Sequence, residues 1–226
     1  MFYTPTAPKR SFPYATVGII AINVIIYFIQ SASPVYYNYF VLNFGLIPFE
    51  IISGINLQTL VTSMFIHGSF IHIFFNMYIL LIFGPAVERK YGPPLFIIFY
   101  LFCGVLAGLI HSYITYIFMP VEAYTITIGA SGAIFGVMAA FAVNYPNQYL
   151  FLFFFAPVRA YIAIALFFIL ETVLGIVGLF GAASSIAHFA HVGGFIAGIL
   201  FALLYRRFTR KGPKIRREKE IEVIYL

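Results

Sequence analysis

Seven ionisable or strongly polar side chains lie inside stretches that are otherwise apolar: His72, Asn76, His111, Ser131, Glu171, His188 and His191. Such groups are expensive to keep in apolar surroundings and mark functional sites by default. Their types are those of nucleophilic catalysis. A serine hydroxyl attacks a carbonyl only when a neighbouring base takes its proton, and neutral histidine is the side chain suited to that task. Ser131 stands in Gly129-Ala130-Ser131-Gly132. The glycines free the backbone for a turn, and a helix beginning there would offer unpaired N–H groups to an oxyanion. His191 is followed by Gly193, Gly194 and Gly198, and the serine segment answers with Gly132 and Gly136. Small residues on both sides let two helices approach until serine and histidine reach the roughly 2.6–3.2 Å needed for proton transfer.

The elements that must carry these groups are membrane spans. The 226 residues are 62% hydrophobic and only 9% charged, whereas a soluble domain is about 25% charged. That excludes a water-soluble globule. The single cysteine, Cys103, excludes an intramolecular disulfide and a cysteine-based zinc site, and no metal is expected. The net charge of +6 comes from short clusters between apolar stretches, which argues against a nucleic-acid partner. Six stretches approach the roughly 20 residues a bilayer requires. They run from Ala15 to Gln30, Ser69 to Val87, Pro94 to Phe118, Thr127 to Tyr145, Ala160 to Phe180 and Ile186 to Tyr205.

Basic residues should then fall on alternate sides, and they do. Lys9 and Arg10 precede the first span, Arg89 and Lys90 follow the second, Arg159 precedes the fifth, and the remaining Lys and Arg follow the sixth. Both termini are expected to be cytoplasmic, with segments 32–66, 119–126 and 181–185 outside. The first apolar run is read as a span in preference to a signal peptide, although Ser31-Ala32-Ser33 offers small residues for cleavage. The aromatic segment from Val35 to Phe65 is read as a long outer loop in the membrane interface, with room for short amphipathic helices, because a further crossing would place Arg89 and Lys90 outside. Tyr149 to Phe155 is read as a similar interfacial piece inside. The expected fold is therefore all-α: a polytopic bundle of six transmembrane helices with a long outer loop between the first two. Residues 1–14 form a cytoplasmic segment, 15–205 the helical domain, and 206–226 a basic cytoplasmic tail near the lipid.

Helical rise converts these spans into depths. Ser131 stands 13 residues from Asn144 and His191 15 residues from Arg206, or about 20 and 22 Å above the cytoplasmic end. Asn76 and His72, 12 and 16 residues from Glu88, come to about 18 and 24 Å and share a helix face. Glu171 reaches about 18 Å, while His111 and His188 fall nearer the outer interface. Depth leaves azimuth open. The residues suggest a Ser131–His191 dyad with the histidine oriented by packing. Glu171 is read as a protonated, hydrogen-bonded structural carboxyl facing the bundle, with a part in substrate gating as the alternative; its exchange for Gln is expected to retain activity.

His72-Ile73-Phe74-Phe75-Asn76, Gly129-Ala130-Ser131-Gly132 and Ala190-His191-Val192-Gly193-Gly194 together resemble the rhomboid intramembrane serine proteases. Met64-Phe65-Ile66-His67-Gly68 and Gly84-Pro85-Ala86-Val87-Glu88-Arg89 look like further signatures in the family's order. The resemblance implies a six-helix bundle with Ser131 as nucleophile and His191 as general base. It implies that His72, Asn76 and the Ser131 backbone N–H stabilise the oxyanion, and that no cofactor or metal is used. Gly129, Gly132, Gly194 and Gly198 would support the site, and Phe135, where some members carry Tyr, would pack on His191. Substrates would be single-span membrane proteins, cut within or beside their transmembrane helix after a small residue. The chain departs from the family pattern at Gln58-Thr59, where many members carry Trp-Arg, and it contains no Trp. The compact form fits a prokaryotic plasma membrane. Two other readings stand beside the protease: a catalytically silent rhomboid-like protein that binds membrane helices, and a proton-coupled transporter using Glu171 and the histidines as relays.

Overall fold

The computed structural model describes residues 12–152, 156–180, 186–209 and 223–224. Lys9, Arg10, the connection 181–185, residues 153–155 of the expected interfacial piece, and residues 210–222 and 225–226 of the basic tail lie outside the described residues. Nine helices carry the described chain: α1 (Tyr14–Gln30), α2 (Pro34–Phe44), α3 (Pro48–Ile52), α4 (Thr59–Thr62), α5 (Phe70–Tyr91), α6 (Pro93–Phe118), α7 (Ser131–Asn144), α8 (Ala160–Leu179) and α9 (His188–Thr209). Short 3-10 turns at Ser63–Phe65 and Glu122–Tyr124 complete the helical part.

Four of these, α5, α6, α8 and α9, are long and apolar enough to cross a bilayer. The other two expected spans are shorter apolar helices, α1 of 17 residues and α7 of 14. At 1.5 Å per residue they extend about 26 and about 21 Å, less than a core of about 30 Å. The shortness of α7 has a local cause. The helix does not start at Thr127; residues 125–130 run largely extended, with Thr127 bridged to Leu46, and Gly129 turns the chain at φ +122° before Ser131 opens the helix. A shortened helix at the centre of a bundle puts its N-terminus inside the molecule.

The expectation of an all-α chain is corrected by a small sheet. β1 (Tyr149–Leu152) pairs antiparallel with β2 (Ala156–Arg159) and parallel with β3 (Val223–Ile224). The aromatic run after α7 therefore forms a hairpin, as aromatic and β-branched residues on a half-buried surface tend to do. The segment read as a long outer loop is mostly helical, built from α2, α3, α4 and a 3-10 turn. Ser33 caps α2 by accepting the Tyr36 N–H, and none of the side chains of α2 is buried.

Helix α7 is the centre of the packing. Residues Gly132–Phe141 are all buried, and α5, α6, α8 and α9 surround them. The α7–α9 contact is closest: a Cβ on Gly194 would overlap the Gly132 carbonyl, and one on Gly198 the Gly136 carbonyl. At the opposite end of the bundle, Glu88 closes α5 onto α1. Its Oε1 accepts the Ala15 N–H at 2.9 Å, and its Oε2 accepts the Thr16 N–H at 2.7 Å and the Thr16 hydroxyl at 2.6 Å. A buried carboxylate thus satisfies donors in the first turn of α1, where the helix dipole favours negative charge. Outward faces carry exposed Phe74, Phe75, Leu81, Ile98, Leu170 and Ile176, an apolar coat suited to lipid.

Candidate active site

Ser131 is the first residue of α7, so its backbone N–H belongs to the set that has no partner within the helix. Its Oγ lies 2.8 Å from His191 Nε2. The close approach of α7 to α9 at Gly132 and Gly194 is what permits this distance across two helices. Phe135, one turn after the serine, stacks on the imidazole with ring centroids 4.3 Å apart and planes 11° apart. One face of His191 is therefore held by packing.

The other constraint on His191 corrects the expectation of a histidine oriented by packing. Glu171 Oε2 lies 2.8 Å from His191 Nδ1 and 2.7 Å from His188 Nδ1. A carboxylate accepts only, so with Glu171 ionised the His191 proton sits on Nδ1 and Nε2 is the acceptor that faces the Ser131 hydroxyl. Packing is thus not alone in orienting the base. His188, expected nearer the outer surface, stands three residues from His191 on α9 and meets the same oxygen. Glu171, His188 and His191 also form a buried cluster with potential ligand atoms within 4.8 Å of one another.

The oxyanion candidates arrive from α5. Ser69 caps that helix by accepting the His72 N–H at 3.1 Å, which seats His72 in the first turn. The Gly68 N–H points to His72 Nδ1 at 3.4 Å, so Nδ1 is the acceptor and Nε2 carries the proton. That Nε2 faces the serine turn: a Cβ on Gly129 would sit 2.6 Å from it and 3.9 Å from Asn76 Nδ2. Asn76 is buried, and its Nδ2 donates to the His72 carbonyl at 3.1 Å, which fixes the amide one turn along the same face. A glycine at 129 is required twice, for its positive φ and for the space His72 occupies.

His111 holds the approach to the serine from α6. Its Nε2 is 3.0 Å from Thr127 Oγ1 and its Nδ1 3.3 Å from Thr115 Oγ1. It therefore braces the extended chain ahead of Gly129. His67 sits beneath His72, ring edge to face at 5.0 Å, with its backbone clasped by the Gln30 amide. Burial, and secondarily the neighbouring His72, push the His67 imidazole down to about 3, partly offset by the Phe65 backbone. Ser131, His191, His72, Asn76, Glu171 and His111 line one cavity of about 1310 Å³.

Sequence reasoning located the depth of Glu171 but missed its partners. The signal was present in α8, whose buried positions are Ala160, Ile164, Glu171, Gly175 and Gly178. They form one helical stripe, and its two glycines mark the side on which another helix comes close.

The serine at the sunken N-terminus of α7 thus meets a histidine of the adjacent helix α9 inside an apolar helical bundle. The Rhomboid domain family matches residues 56–208, and the chain belongs to the rhomboid family. It is an integral membrane protein. The RHOMBOID-like protein 12, mitochondrial, of Arabidopsis thaliana is 31% identical over 167 residues, covering 69% of this chain and 48% of that protein. The rhomboid protease AarA of Providencia stuartii is 29% identical over 158 residues, covering 63% and 54%. The rhomboid-like protease 3 of Toxoplasma gondii is 23% identical over 167 residues, covering 72% and 57%. The chain spans about half the length of these curated relatives.

Proposed function

We propose that this chain is an intramembrane serine endopeptidase that cuts membrane-protein substrates within or beside a transmembrane helix. The observation that carries the reading is the 2.8 Å contact between Ser131 Oγ and His191 Nε2 at the start of α7, inside a cavity large enough for a peptide. As a substrate carbonyl approaches, Ser131 Oγ attacks its carbon and the hydroxyl proton passes to His191 Nε2. The carbonyl oxygen becomes an oxyanion, for which the Ser131 N–H, His72 Nε2–H and Asn76 Nδ2–H are the available donors. Collapse breaks the C–N bond, and His191 returns the proton to the leaving amine. Water then attacks the Ser131 ester with His191 again as base, releasing the acid and restoring the hydroxyl.

Membership of the family, with relatives named as proteases, supports this reading. So does the presence of serine, histidine and oxyanion donors in one cavity, which a helix-binding protein without activity would have no need to align. A relay across the membrane would need polar groups continuing toward the far end of α7, where Phe83, Phe141 and Val137 are buried instead. The first experiment is cleavage of a purified single-span reporter by the detergent-solubilised protein, beside folded Ser131→Ala and His191→Ala variants. Product from the unaltered chain alone is expected. Equal product from Ser131→Ala would overturn the assignment of the nucleophile.

A further inference from the structure

The protease reading needs only a serine and a histidine, yet the group bonded to His191 Nδ1 is a carboxylate that this chemistry does not by itself call for. We propose that Glu171 is a positioning residue that fixes the tautomer and orientation of the general base, so that Ser131, His191 and Glu171 act as one hydrogen-bonded chain with His188 clamping its far end. The inference rests on the protease reading and deepens it.

The geometry is directional. Glu171 Oε2 lies 2.8 Å from Nδ1 of His191, and Ser131 Oγ lies 2.8 Å from Nε2 of the same ring. An imidazole bonded at both nitrogens, to an obligate acceptor on one side and a hydroxyl donor on the other, has one productive tautomer. When His191 takes the serine proton it becomes a cation next to that carboxylate, in a site where charge–charge attraction is poorly screened. The pair therefore favours the transition state over the ground state, which is the condition for raising kcat.

His188 explains how the carboxylate is held. It lies one helical turn from His191 on α9, and its Nδ1 is 2.7 Å from the same Oε2. Two imidazoles on one face of α9 thus grip one oxygen of a side chain from α8. Glu171 lies on the only stripe of α8 that is buried, with Gly175 one turn on, where a Cβ would press 3.3 Å from His188 Cβ. The small residue lets α8 come close enough for its carboxylate to span to α9. A carboxyl serving only to fill the bundle would not need two aligned imidazole nitrogens and a glycine beside them.

The test uses the full chain in detergent, with a single-span reporter whose helix contains glycine and with a fluorophosphonate probe that labels an activated serine. Glu171→Gln keeps the shape but supplies an amide that can donate as well as accept. It is expected to lower kcat and the labelling rate by about 10²-fold, with KM changed less than about twofold and thermal unfolding unaltered. Nitrogen NMR of labelled histidine should show His191 protonated at Nδ1 in the unaltered chain and a mixture of tautomers in the variant. Normal kcat, labelling and tautomer in folded Glu171→Gln, with Ser131→Ala inactive, would overturn this inference and leave the protease reading standing. Activity in Ser131→Ala would overturn the protease reading itself. Should Glu171→Gln fail to fold, Glu171→Asp keeps the charge and withdraws the oxygen by one methylene: a loss in kcat without a change in KM is expected, and an unchanged kcat would overturn the proposal.

Discussion

Gly194 of α9 lies against the carbonyl of Gly132 in α7, so close that any β-carbon at 194 would overlap that oxygen. Gly132 follows the serine directly and Gly194 lies three residues past the histidine. The contact therefore sets the separation of Ser131 Oγ and His191 Nε2.

Gly194→Ala is expected to push the two helices apart. Overpacking of this kind destabilises by about 1–3 kcal/mol, and a misplacement of about 1 Å in a catalytic pair can lower the rate about 10²-fold. Activity should fall far more than folded yield. Reporter cleavage alongside thermal unfolding checks this, and wild-type activity in Gly194→Ala would show that the contact does not gauge the pair.

The depth of the site was legible in the sequence because helical rise is constant. Ser131, His191, His72 and Asn76 were brought to one level by counting, and all four line one cavity. Azimuth was not legible from depth alone, since it depends on which face of each helix meets a neighbour. Glu171 shows the consequence: its level was found, but its pairing with His188 and His191 needed the stripe of Gly175 and Gly178 to be read with it. The hairpin of β1 and β2 was missed for another reason. Tyr149–Leu152 is a continuous aromatic and aliphatic run, and periodicity cannot separate such a run into strand or helix.

Glu88 should matter for stability and not for chemistry. Its carboxylate serves two backbone N–H groups and one hydroxyl of α1, and it lies 16 residues from His72 on α5, about 24 Å along the helix. Glu88→Ala leaves those buried donors unpaired and is expected to cost about 3 kcal/mol or more. Glu88→Gln, which keeps acceptor capacity, should lose less. Reversible unfolding in detergent measures both. Unchanged stability in Glu88→Ala would refute the role, and so would a kcat defect in the fraction that remains folded.

His67 makes the fold sensitive to acid. Its imidazole lies in the segment before α5 and is held at about 3 by burial and then by His72, against an ordinary 6.5. The folded chain keeps it neutral while the unfolded chain accepts a proton, so its contribution is intact above pH 6.5 and is lost as pH falls toward 3. Within that window the slope is about 1.4 kcal/mol per pH unit. Unfolding free energy measured from pH 7 to pH 4 should fall less steeply for His67→Gln than for the unaltered chain. Parallel slopes would mean that another group titrates.

The substrate is expected to unwind before it is cut. A peptide bond inside a helix is shielded by the ladder of backbone hydrogen bonds, while in the proposed reaction Ser131 has to reach the carbonyl carbon and the oxygen has to turn toward His72, Asn76 and the Ser131 N–H. Each glycine weakens a helix by about 1 kcal/mol relative to alanine, so two near the scissile bond lower the unwinding step enough for about 30-fold in rate. A reporter with two central glycines should therefore be cut at least tenfold faster than an all-leucine span of equal length, with the difference in kcat. If the two reporters were cleaved at the same rate, unwinding would not limit the reaction, and the cavity around Ser131 would have to take the substrate in helical form.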